Sequence, residues 1–84
     1  MRVQFEDRVS SVAFSPNSRW LAVASFDGST RVIETATGAE VSKASFGWGV
    51  TSVDFSPDGR WLAAASFDNT ARVFEAASGN EVSR

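Results

Sequence analysis

The chain of 84 residues has no cysteine and no histidine. Disulfides are thereby excluded, as are zinc sites built from Cys and His and any catalytic scheme that needs a thiolate or an imidazole. Acidic residues outnumber basic ones, giving a net charge of −2 and an isoelectric point near 4.9. A nucleic-acid or membrane-surface binder wants a basic patch, so neither partner is expected. No apolar run approaches the roughly 20 residues that span a bilayer, and the segment from Met1 to Arg8 is too polar for a signal peptide. The expected location is the cytoplasm. Gly-rich phosphate loops, nucleophile elbows and metal-ligand spacings are also missing, so no cofactor and no catalytic residue is expected. Gly47-Trp48-Gly49 precedes no helix that would aim amide groups at an anion.

What is present is apolar and aromatic. Seven Phe and three Trp stand in a chain that is 43% hydrophobic and 21% charged, a globular composition. So short a chain hides only about 60–65% of its surface on folding. Burial shared with other copies is one way to cover the rest.

The residues repeat. Val9-Ser10-Ser11-Val12-Ala13-Phe14-Ser15-Pro16 returns as Val50-Thr51-Ser52-Val53-Asp54-Phe55-Ser56-Pro57. Arg19-Trp20-Leu21-Ala22 returns as Arg60-Trp61-Leu62-Ala63, and Ala24-Ser25-Phe26-Asp27 as Ala65-Ser66-Phe67-Asp68. Arg31-Val32, Glu34 and Gly38 return as Arg72-Val73, Glu75 and Gly79 at the same offset of 41, without insertion. A period of about 40–45 residues with four short strands is that of a propeller blade.

Local pattern supplies the strands. Val9–Phe14 and Val50–Phe55 are β-rich runs stopped by Ser-Pro, where the ring of Pro sets φ for a turn. Trp20–Phe26 and Trp61–Phe67 are apolar without alternation, which predicts strands covered on both faces. A helix is the competing reading, but seven residues between turn signals is too short for one. Asp27-Gly28 and Asp68-Asn69 are hairpin dipeptides that tolerate positive φ. They lead to third strands over Thr30–Glu34 and Ala71–Glu75, and Glu40–Phe46 is the fourth strand of the first copy. The second copy of that strand stops at Arg84, which aligns with Lys43.

Together the runs Val-x-Ser-Val-x-Phe-Ser-Pro, Arg-Trp-Leu-Ala, Ala-Ser-Phe-Asp and Arg-Val-(Ile/Phe)-Glu resemble WD repeats, in the manner of highly repetitive bacterial propellers. The resemblance implies an all-β fold of two four-stranded antiparallel blades, with each first strand innermost around a channel. It also implies a buried network of His, Ser, Asp and Trp in each blade. Ser25 and Asp27, with Ser66 and Asp68, match the Ser and Asp. Phe5 and Phe46 stand at the His position, and Ile33-Glu34 and Phe74-Glu75 replace Trp-Asp. An apolar contact is expected where that network is lost, leaving Asp27 and Asp68 to cap their own turns.

Four to eight blades close a propeller, and two alone leave apolar sheet faces in water. The expectation is one unit of two tandem blades, about 9–49 and 50–84, that closes a ring with copies of itself. Two blades per chain allow even-numbered rings, a trimer or a tetramer; eight blades is the expectation, since WD-type rings usually hold seven or more. Residues 1–8 supply the end of an outer strand: Arg2-Val3-Gln4-Phe5 aligns with Lys43-Ala44-Ser45-Phe46, the end of a fourth strand, whereas Glu81-Val82-Ser83-Arg84 begins one. Val3 and Phe5 of one copy would then continue the strand holding Val82 and Arg84 of another, the alternative being plain frayed ends.

The acidic residues read as turn formers and solvated strand ends, not as a catalytic pair. Trp48 has Asp7 as its counterpart. With Phe26 and Phe67 it forms either a ligand surface or inter-blade packing, and Trp20 and Trp61 are expected between blades. Three functions follow: a self-assembling structural unit, natural or engineered; a piece of a protein-interaction scaffold that binds proteins or peptides; or a binder of sugars or small ligands through Trp48.

Overall fold

The computed structural model describes Arg2 and residues 4–82. Its seven strands are β1 (Val9–Phe14), β2 (Trp20–Ser25), β3 (Ser29–Glu34), β4 (Glu40–Ser45), β5 (Val50–Phe55), β6 (Trp61–Ser66) and β7 (Ala71–Glu75). They form two antiparallel meanders, β1-β2-β3-β4 and β5-β6-β7. Among the described residues the second blade therefore holds three strands where four were expected. Its fourth position is only begun, by a bridge between Phe74 and Glu81 and by the Val82 amide donating to the Val73 carbonyl at 2.8 Å. Among the described residues no helix is long and apolar enough to cross a membrane.

The turns follow from the repeated polar residues. In the first hairpin the Ser18 amide donates to the Ser15 carbonyl at 2.8 Å, and Ser18 adopts φ 62°. The Ser15 hydroxyl donates to Asn17 Oδ1 and accepts from the Trp20 amide. The second blade repeats this with Ser56, Asp58 and Trp61, and Gly59 carries the positive φ. At the next hairpins Gly28 and Asn69 take φ 90° and 68°, a conformation that Gly and Asn reach at least cost.

Register decides which residues share a face. Ala13, Ala22, Val32 and Ser42 lie in one cross-strand row, and Ser11, Ala24, Thr30 and Ala44 in the next. This small-residue face lets the second sheet approach closely, and β5 packs over β1 and β2. From the second blade come Val50, Val53, Leu62, Ala64, Phe74 and Ala76, which with Ala22, Ala24, Val32 and Ala44 make one core. Hiding side chains the size of Val50, Leu62 and Phe74 contributes about 1.5–3 kcal/mol each. Ser42 adds a buried hydrogen bond to the Ala76 carbonyl at 2.6 Å.

The second strands differ. From Ala22 to Ser25, β2 is buried on both faces, as its apolar run predicts, but β6 alternates, with Ala63 exposed and Leu62 and Ala64 buried. The difference is one of position: β5 lies over the Ala22 and Ala24 face of β2, whereas among the described residues no sheet covers the Ala63 face of β6.

Candidate assembly surfaces

Among the described residues two sheet faces are open, one on each blade, the first blade's only along β1, since Val23 and Ile33 on the same face are buried. On the first blade, Val12 is 55% and Phe14 63% exposed. Their repeat counterparts, Val53 and Phe55, sit inside, with Val53 only 7% exposed and Phe55 packed against the core. On the second blade, Ala63, Ala71 and Val73 are exposed, Val73 by 42%, whereas their counterparts Ala22, Thr30 and Val32 are 0, 2 and 1% exposed. The face that the first blade presents to solvent is thus the one by which the second blade grips the first. The face that the second blade presents is the one that is gripped.

A groove of about 440 Å³ runs along the unfinished edge of the second blade, between Trp61, Ala71, Arg72, Val73, Glu81 and Val82. Among the described residues, β7 has at this edge only the Glu81 bridge and the Val82 bond where β3 has β4. Val82 itself is 36% exposed. Val3 and Arg84 lie outside the described residues. Phe5 is half-buried with the Arg31 guanidinium 4.6 Å above its ring.

That contact has a repeat. Arg72 stands 4.7 Å over Phe46, and Phe46 meets Phe74 edge to face with centroids 5.6 Å apart. An apolar and cation–π stack therefore occupies the place where the resemblance puts His and Trp. The arginines had no role in the sequence reading, although their recurrence at the period of 41 was the available signal.

The turn carboxylates are paired. Asp27 Oδ1 accepts from the Ser29 amide at 2.8 Å and the Ser29 hydroxyl at 2.6 Å, and Ser25 Oγ accepts from the Asp27 amide. Burial works to raise the pKa of Asp27, but the Ser29 hydroxyl and amide, with Ser25 and Arg31, outweigh it and hold the carboxyl below its ordinary range. Asp68 accepts from the hydroxyl and amide of Thr70 and lies 3.6 Å from Arg72. The Thr70 hydroxyl is the main cause of its lowered pKa, against some burial and helped by the amide and Arg72. Ser66 donates to the Gly49 carbonyl at 3.2 Å and accepts from the Asp68 amide.

Of the aromatic residues at this end, Phe26 and Phe67 come together, with centroids 5.3 Å apart. Trp48 does not stack with them: it is 64% exposed and packs between no blades within the chain. At the other end of the sheets Trp20 packs against the core. Trp61, expected between blades, lies on the open face under Arg60, 4.8 Å above its ring. A cleft of about 720 Å³ opens there between Arg19, Trp20 and Glu34 of one blade and Asp58, Arg60 and Glu75 of the other.

The WD domain, G-beta repeat family model matches residues 3–34 and again 41–75, once per blade. No curated protein matches the chain.

Proposed function

The chain belongs to the WD-repeat family, and on that premise we propose that it is a non-enzymatic propeller building block that closes a ring by stacking with copies of itself. Repeats of this family make scaffolds and interaction platforms. The observation that carries the finer reading is the equivalence of the two open faces to the two faces joined inside the chain. Val12 and Phe14 of one copy would enter the site beside Ala63, Ala71 and Val73 of the next, as Val53 and Phe55 enter it beside Ala22, Thr30 and Val32. Such a contact is heterologous, and it ends only when the rotation closes.

In this reading the repeating unit is a pair of blades, about 9–49 and 50–84, and residues 1–8 finish an outer strand of the neighbour. The open edge of β7 and the groove beside it support that pairing. Each chain adds two blades, so the ring is even-numbered. Four copies give eight blades and three give six; the larger ring suits the family's usual size.

Native mass spectrometry of the 84-residue chain tests this. A mass of four chains supports the eight-bladed ring, and three the six-bladed one. A folded monomer at every concentration overturns self-assembly. Deleting residues 1–5 tests the outer strand: the truncated chain is expected to assemble less well, and unchanged assembly removes that part of the reading.

A second reading, as a platform for a protein, peptide or sugar, draws support from the exposure of Trp48 and Phe67, 64 and 60%. Its test is quenching of tryptophan fluorescence across peptide and glycan panels, in the wild type and in Trp48→Ala. Quenching that survives the substitution places the ligand elsewhere.

A further inference from the structure

Resting on the self-assembly reading, we propose that Asp54 makes the junction between copies weaker than the junction within a chain, so that the ring opens and closes reversibly while each blade pair stays intact. The two junctions are built from repeat-equivalent rows. Inside the chain the covered row on the first blade is Ala13, Ala22 and Val32. Ala22 and Val32 are sealed, and Ala13 packs against the same core. The matching row on the second blade is Asp54, Ala63 and Val73, and all three are exposed. Two of the three residues are unchanged, and the third exchanges a methyl group for a carboxylate.

What a neighbouring copy brings to that carboxylate follows from the chain's own junction. There, β5 lies over β1 and β2, presenting Val53 and Phe55 on its inward face. The counterparts on the next copy's β1 are Val12 and Phe14, neither of which has a donor to offer. Behind them on that face stand Leu21 and Val23 of β2, which are also apolar. The charge on the third strand is Arg31, whose guanidinium is already engaged with Phe5 at 4.6 Å and with Glu40 at 3.7 Å. On its own sheet Asp54 shares the face with Glu75, a second anion, in the Trp61 row, and with Arg60, whose guanidinium is stacked 4.8 Å over the Trp61 ring.

Docking therefore strips water from a carboxylate to which the neighbouring copy's β1 and β2 bring no donor, and such burial opposes association. Ala13 carries no such cost within the chain. The blade pair consequently forms as the tight unit, and ring closure is a looser, concentration-dependent second step.

Sedimentation velocity over a dilution series of the wild type, Asp54→Asn and Asp54→Ala tests the assignment, with circular dichroism to check folding. Asn keeps the size of the side chain and removes its charge, whereas Ala restores the residue of the inner junction. Both variants are expected to assemble at concentrations on the order of tenfold lower or more than the wild type. If wild type and variants dissociate at the same concentration, Asp54 has no such role and the ring stands. If all three are monomeric throughout, the ring itself is wrong and this inference goes with it.

Discussion

Aspartates at three turns, Asp27, Asp58 and Asp68, each accept the amide two residues ahead and a neighbouring hydroxyl. Asp58 is held below its ordinary range by the Ser56 hydroxyl first and then by the Arg60 amide, so all three carboxyls are more acidic folded than unfolded. A depressed folded pKa contributes stability that is fully present above the unfolded value, and it is lost as pH falls through the folded one. Urea titrations should therefore show stability level at neutral pH and declining once pH drops below 3.8, the ordinary value for these groups. Asp27→Ala removes two hydrogen bonds to a partly buried carboxylate and is expected to cost about 1–2 kcal/mol at neutral pH. The same change at fully exposed Asp58 should cost less. Thr30 runs the other way. Its hydroxyl is buried between the blades with no hydrogen-bond partner, and its counterpart in the second blade is Ala71. Thr30→Val keeps the shape and is expected to raise stability by about 1 kcal/mol, read as a higher melting temperature; a lower one would mean that the hydroxyl is satisfied after all.

At the scale of strands and turns, the period, the Ser-Pro stops and the Asp-Gly and Asp-Asn turns were legible because each is a local rule of backbone conformation. Strand bounds came within a residue: β3 starts at Ser29 in place of Thr30, and β4 ends at Ser45 in place of Phe46, although the Phe46 amide still donates to the Gly28 carbonyl at 2.7 Å. What could not be read is what depends on the neighbouring sheet. The bulges at Ser10 and Thr51 are one case. Ser10 Oγ reaches the Val50 carbonyl across the blade junction at 2.5 Å, with the Ala24 carbonyl 3.2 Å away, while Thr51 Oγ1 has only the Ala65 carbonyl of its own sheet. Trp48 is another, since nothing in a Gly-Trp-Gly run says whether the ring turns in or out. Gly79 is a third. Its φ of +78° is a turn property, but a Cβ there would also stand 2.6 Å from the Lys43 carbonyl oxygen of β4. Gly79→Ala thus meets both backbone strain and a clash with the first blade's outer strand. It is expected to cost about 1–3 kcal/mol in chemical denaturation, whereas Gly47→Ala, with no atom within 4 Å of the added carbon, should change little.

For the molecule as a whole, the repeat supplies its own control. Val32 and Val73 occupy the same place in their blades, but Val32 is 1% exposed beneath the second sheet and Val73 is 42% exposed on the open one. A glutamate at Val32 would bury an unpaired charge between the blades, which costs on the order of 3–5 kcal/mol. Glutamate at Val73 meets only solvent while the chain is alone, so the isolated blade pair should keep its fold. In a ring the same carboxylate would press into the next copy's apolar β1 and β2, close to Asp54 and Glu75 of its own sheet. Val32→Glu is therefore expected to lower the melting temperature sharply whatever the protein concentration. Val73→Glu is expected to yield a folded chain with the mass of a monomer. The two readouts, circular dichroism on heating and mass in solution, separate a face that holds one chain together from a face that joins two. Should Val73→Glu assemble as the wild type does, neither the second blade's open face nor the groove that Val73 lines takes part in assembly.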